Sequence, residues 1–257
     1  MNSKVHIVTT CTPISPYKEC WEEQMDSWVP AMEKCGVPVH TVMANSNVTS
    51  PYVEVDKFIY CPGEFTFKEH YNTTASYWMN AILHWSLDHN LDYVFIVDND
   101  TYVHPHRFIS LIQEYKTNPS IMYAGACFPF WGGEGWWLHD NFQTFVDNNN
   151  FDEVIKGWAS GGSGIVLSKQ AIKIAAAHFW DEVEACEIKD QGKNDFILQK
   201  VLTKHNIKLY HDSRFCWESP YTTHPAYKLH PSDKVPLITN PDSFLVAQHD
   251  MSGHMKS

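Results

Sequence analysis

The chain has 257 residues, 44% of them hydrophobic and 14% aromatic, which suits one folded domain with a large core, or two fused lobes, and excludes a disordered polypeptide. A formal net charge of -11 without clustered Lys and Arg argues against a nucleic-acid surface. Seven cysteines, an odd number with no CxxC pair, indicate neither a disulfide framework nor a zinc cluster, and free thiols fit a reducing compartment.

The amino terminus runs straight into a strand, Val5 to Thr9, with no signal peptide and no membrane segment; an anchor removed from the sequence is the alternative. Tyr17 to Lys34 reads as one amphipathic helix whose Trp21, Met25, Trp28 and Met32 stripe is ordinary core packing. Val37 to Met43, after the Gly36 stop, is a second strand and Val53 to Tyr60 a third, so strand, helix and strand form the βαβ unit of a parallel sheet. Thr73 to His89 is a helix with Ala75, Trp78, Met79, Ile82, Leu83 and Trp85 largely on one side. It delivers the chain to Val94–Val97, a β-branched and aromatic run that reads as a strand buried on both faces of a parallel sheet.

Pro105 opens a helix through Arg107 to Lys116, and Ile121 to Cys127 is a strand. Residues 130 to 150 contain three glycines, three tryptophans and an Asn run, the composition of a long functional loop or lid. Ile165 to Leu167 is a strand, Lys169 to Phe179 an Ala-rich helix, Asp195 to Lys204 another helix, and the proline-rich stretch from Pro220 to Pro241 a surface loop. Nothing marks a repeat or a linker between independent domains. The expected architecture is a single α/β domain, a mixed sheet flanked by helices.

Four features carry possible chemistry. Asp98 and Asp100 follow the buried strand, and ligands of open α/β sheets bind beyond the carboxyl ends of strands, where this pair could bridge a divalent cation to an anionic ligand. A plain turn is the competing reading. The run Trp158-Ala159-Ser160-Gly161-Gly162-Ser163-Gly164 permits either close backbone approach to a ligand or a tight turn with positive φ. Asp195, at a helix start, is either a cap or a general base that stays ionised beside the positive helix end. His249 follows the apolar run Phe244–Ala247 and could return to a metal, with the His104-Pro105-His106 pair as a weaker rival.

Sequons occur at Asn47, Asn72 and Asn99, the last between the two carboxylates. A glycan there would block a metal site. Either folding buries Asn99 first or the chain never enters a secretory lumen, and the second, simpler option points to a cytoplasmic protein.

In this order the four features resemble the inverting glycosyltransferases of the Fringe and β1,3-galactosyltransferase kind, which have the GT-A fold. The resemblance implies that Asp100 is the main carboxylate ligand of Mn²⁺ (or Mg²⁺), that Asp98 helps it or holds ribose, and that His249 is the late histidine ligand. It implies that Asp195 deprotonates the acceptor hydroxyl, and that Thr9, Thr10, Asp98, Asn99, Gly161 and Gly162 line the nucleotide-sugar site. About 1–103 would be the nucleotide half and about 104–257 the acceptor half. The partners implied are a nucleotide sugar, most simply a UDP-sugar, and a glycan or glycoconjugate acceptor, with Trp131, Trp136 and Trp137 stacking on the acceptor. Asn194 stands where the family usually has an acid, and a basic residue often expected near Thr73 to Ala75 is missing.

Two other readings remain at this point. Asp98-Asn99-Asp100-Thr101 also fits the nucleophile motif of haloacid-dehalogenase-type phosphatases, although that motif usually opens its domain. A non-catalytic carbohydrate-binding protein would explain the tryptophans but needs neither the paired carboxylates nor a base.

Overall fold

The computed structural model describes residues 4–15, 17–63, 71–129, 157–159, 161–185, 194–216 and 245–248. Among them eight strands form a mixed main sheet: β1 (Val5–Thr10), β2 (Val39–Ala44), β3 (Val53–Val55), β4 (Phe58–Cys61), β5 (Tyr93–Val97), β7 (Tyr123–Gly125), β10 (Ile165–Ser168) and β11 (Leu209–His211). Their order is β11-β7-β10-β5-β1-β2-β4-β3. β1 pairs in parallel with both β2 and β5, as expected, but β10 runs antiparallel to β5 with Ile165 opposite Ile96. That reversal positions the site, because it brings the start of β10, and the glycines before it, to the carboxyl end of β5.

Two smaller ladders complete the frame. β6 (Tyr102–Val103) pairs with β13 (Ala247–Gln248), which also pairs with β12 (Phe215–Cys216); β8 (Cys127–Pro129) pairs with β9 (Gly157–Ala159).

Helices cover both faces: α1 (Tyr17–Asp26), α2 (Val29–Lys34) and α4 (Pro105–Thr117) on one, α3 (Tyr71–Asp88), α5 (Lys169–Ala185) and α6 (Asn194–Lys204) on the other. β5 shows why its sequence is apolar throughout. Val94 and Ile96 join the core under α3, α5 and α6, while Phe95 and Val97 join the core under α2 and α4. Alternation puts successive side chains on opposite faces, so a strand covered on both sides has no polar position to spare.

Three expected elements are divided. The helix expected over 17–34 breaks at Ser27 and Trp28, because Pro30 at the start of α2 has no N–H and its ring would meet the carbonyl four residues earlier. The strand expected over 53–60 is a hairpin that turns at Asp56, φ +53°. The strand expected over 121–127 divides after Gly125, where an added Cβ would lie 2.8 Å from that of Ala159. The expected lid over 130–150 and the loop over 220–241 lie outside the described residues.

Candidate active site

The loop after β5 is held from below by a buried amide. Gln24 of α1 is fully buried; its Nε2 donates to the carbonyls of Asp98 and Thr101, both at 2.7 Å, and its Oε1 accepts from the Thr9 hydroxyl at 2.7 Å. Trp28 Nε1 donates to the same Thr101 carbonyl at 3.0 Å. The loop also closes on itself, since the Thr101 amide donates to the Asp98 carbonyl at 3.2 Å. Asp98 and Asp100 are half-buried on this braced loop, at the rim of the sheet.

Asn99 is buried, and its Nδ2 donates to the Tyr17 carbonyl at 2.8 Å. The folded chain therefore shields this sequon, as the first of the two alternatives it raised requires. Asn47, by contrast, is exposed in the turn after β2.

The glycine run sits directly across from this loop. Thr101 Oγ1 donates to the Gly162 carbonyl, and the Gly164 amide closes the turn onto the Gly161 carbonyl at 3.0 Å. Gly164 has φ +105°, and a Cβ there would lie 2.3 Å from the Phe95 ring, so this glycine serves the fold. Gly161 serves the acid beyond it: its amide donates to Asp195 Oδ2 at 3.4 Å.

Asp195 stands at the start of α6, with Oδ1 accepting from the Phe196 amide at 2.8 Å. Burial pushes its carboxyl up to about 6, against the opposing pull of hydrogen bonds from the Gly161 and Phe196 amides and the Trp158 side chain. The helix-start environment alone would have left the acid near its ordinary range; desolvation outweighs it. A base with this pKa is mostly ionised at pH 7 yet basic enough to accept a proton.

The structure thus joins three of the four sequence features through one set of hydrogen bonds. Thr10 is buried at the end of β1. The Thr9 hydroxyl is spent on Gln24, and any further role for Asn99 falls to its carbonyl oxygen or backbone. His104 caps α4 by accepting from the Arg107 amide at 3.5 Å, its ring centroid 6.4 Å from that of His106. His249, Trp131, Trp136 and Trp137 lie outside the described residues; the residue before His249, Gln248, pairs with Tyr102, two positions past Asp100. Among the described residues no group of three or more His, Cys, Asp and Glu is arranged to hold a metal. The described donors are two carboxylates, a set that suits a hard cation completing its shell with diphosphate oxygens and water.

Sequence reasoning quoted Trp158 only as the first residue of the glycine run, and it missed Gln24 and also Thr12, whose hydroxyl is buried without a hydrogen-bond partner among the described residues, just past the end of β1.

An acid-bearing loop at a strand end is thus tied, through a glycine turn, to another acid at a helix start. Residues 64–218, more than half the chain, match the model of the family described as Fringe-like, so the chain belongs to the Fringe-like family. Two solved structures resemble it over nearly its whole length. One is a glycosyltransferase involved in the glycosylation of the major capsid of PBCV-1, at 12% identity and TM-score 0.49, covering 98% of this chain and 95% of that one. The other is the apo form of mouse xyloside xylosyltransferase 1, at 11% identity and TM-score 0.48, covering 96% and 97%. No curated protein matches the chain.

Proposed function

We propose that the protein transfers a monosaccharide from a nucleotide sugar, a UDP-sugar in the simplest case, to a hydroxyl of a glycan or glycoconjugate, with inversion and with the help of Mn²⁺ or Mg²⁺. The observation that carries this reading is the run of hydrogen bonds from Gln24 through Thr101 and the glycine turn to Asp195. It links Asp195 to the loop that carries Asp98 and Asp100, which supports reading the first as a base and the other two as cation ligands. The Fringe-like membership favours this reading over a phosphatase, whose nucleophile would be Asp98, and over a binding protein without catalysis.

Asp98 and Asp100 would hold the cation, with His249 as a third ligand. A divalent ion there supplies charge neutralisation for the departing nucleoside diphosphate. Residues 1–103 would form the nucleotide half, with Thr9 and Thr10 at the end of β1 beside the nucleoside, a polar edge of which satisfies the Thr12 hydroxyl. Gly161 and Gly162 border the donor sugar. Asp195 accepts the proton of the acceptor hydroxyl as its oxygen attacks the anomeric carbon from the face opposite the leaving group, which inverts that centre. Residues 104–257 would form the acceptor half, with Trp131, Trp136 and Trp137 stacking on sugar rings.

The test is incubation with Mn²⁺, a panel of UDP-sugars and simple glycoside acceptors, with proton NMR of the first-formed product. The expected product has the anomeric configuration opposite to that of the donor. A retained configuration would refute the role of Asp195, and turnover of a GDP-sugar but no UDP-sugar would refute the donor.

A further inference from the structure

Thr101 lies next to the carboxylate loop but carries no charge, and its role is not explained by binding either substrate. The residue is fully buried. Its backbone is fixed three ways: the carbonyl accepts from Gln24 Nε2 at 2.7 Å and Trp28 Nε1 at 3.0 Å, and the amide donates to the Asp98 carbonyl at 3.2 Å. That leaves the side-chain hydroxyl as a rigidly mounted donor, and it is aimed at the Gly162 carbonyl. Gly164, at the far end of the turn, packs on the Phe95 ring, whereas a Cβ built on Gly161 would meet, among the described residues, one neighbour within 4 Å, Asp195 Oδ2 at 3.9 Å, so the Gly161–Gly162 end is the part the hydroxyl has to hold.

We infer that Thr101 is a positioning residue for the base: its hydroxyl anchors the Gly161–Gly164 turn to the braced loop after β5, and so fixes the amide that orients Asp195. The consequence is mechanical coupling between the donor side and the acceptor side of the site. Movement of the cation-binding loop would pass to Asp195 through two successive hydrogen bonds, Thr101 to Gly162 and Gly161 to Asp195. This inference rests on the proposed role of Asp195 as base only for its catalytic consequence. The structural coupling stands on the geometry alone.

Thr101→Val keeps the shape and every backbone bond while removing the hydroxyl; Thr101→Ser restores the hydroxyl and removes only a methyl group. The direct readout is carbon-13 NMR titration of the aspartate carboxyls, with the Asp195 resonance assigned by its loss in Asp195→Asn. Burial pushes the Asp195 carboxyl up to about 6 in the natural chain, so its resonance is expected to move there. In Thr101→Val its midpoint is expected to rise, because a loosened Gly161 amide stabilises the carboxylate less, and in Thr101→Ser it returns. Should Thr101→Val fail to fold, Thr101→Ala is read in the same way.

With a UDP-sugar and Mn²⁺, Thr101→Val is expected to lose roughly 100-fold in kcat, the scale of a misplaced catalytic group, at unchanged donor KM. An Asp195 midpoint equal in the natural chain and in Thr101→Val overturns the inference whether or not turnover is seen. Absence of UDP-sugar turnover in the natural chain counts against the proposed function, and the titration still decides the coupling.

Discussion

The two ends of the central strands bury polar groups in opposite ways. At the carboxyl ends of β1 and β5, Gln24 spends both amide hydrogens and its oxygen on three partners, and the loop it braces leads by hydrogen bonds to Asp195. At the amino ends, His6 of β1 and His40 of β2 meet at 3.0 Å and stack at 5.1 Å between centroids; Trp85 lies 4.5 Å from His40, and His89 lies beyond Trp85. Here satisfaction is incomplete, since His40 Nδ1 is buried without a partner among the described residues. Burial pushes His40 down to about 4 and His6 also downward, with the neighbouring imidazoles and lysines adding to the effect, while Glu54, paired with His89 at 3.1 Å, opposes it at His6. One end is cross-linked for geometry. The other is a packed stack in which burial keeps His6 and His40 neutral.

The difference teaches where each end is vulnerable. A network that fixes geometry fails when one donor or acceptor is removed, whereas a neutral stack fails when protons are forced onto it.

The largest expected effect strikes the carboxyl end without unfolding it. Asp195→Asn should lower sugar transfer by about 10³-fold, the usual range for loss of a general base, while the urea transition shows a folded protein. The remaining activity of the natural chain should fall as pH drops through about 6, where Asp195 becomes protonated. Gly164→Ala attacks the same end sterically: positive φ together with a Cβ 2.3 Å from Phe95 should cost about 3 kcal/mol in urea unfolding. Gln24→Met preserves volume but leaves the Thr9 hydroxyl without its partner and takes one donor from each of the Asp98 and Thr101 carbonyls, which keep the Thr101 amide and Trp28 Nε1, so a loss of about 1–3 kcal/mol is expected by the same measurement.

The smallest effect belongs to the amino end and has a definite sign. His40 in the unfolded chain takes up a proton as pH falls below the ordinary 6.5, whereas in the folded chain it resists until about 4. Its contribution is therefore intact above 6.5 and is lost progressively between 6.5 and 4, by on the order of 2 kcal/mol. Urea unfolding at pH 7 and pH 5 should show this loss, and His40→Phe, which keeps an aromatic ring in the stack, should reduce it. An unchanged pH dependence in that variant would remove the contrast between the two ends.

Much of the carboxyl end was legible because its signals are local. Asp98 and Asp100 stop an apolar run, the glycines cluster, and Asp195 opens a helix, so each feature is visible within a few residues. Their meeting was not legible, because Ile165–Leu167 reads as a strand in either direction and only its antiparallel pairing with β5 brings the glycines to the carboxylates. Gln24 gave no signal, since a single polar residue in an amphipathic helix looks like a solvent-facing one, and its partners lie 15 to 77 positions away. The histidine stack was equally hidden: His6, His40 and His89 are scattered among fifteen histidines, and only the parallel pairing of β1 and β2 places the first two together. The hairpin at Asp56 escaped because no glycine marks its positive φ.

On the proposed reading, Asp98 and Asp100 grip a cation shared with a nucleoside diphosphate, separately from the base at Asp195. Thermal unfolding with UDP, with and without Mn²⁺, tests it most directly in the natural chain, Asp100→Ala and Asp195→Asn, because a ligand that binds only the folded state raises the melting temperature. A Mn²⁺-dependent rise is expected in the natural chain and in Asp195→Asn, and none in Asp100→Ala. The same rise in Asp100→Ala, or no rise in any of the three, would contradict it.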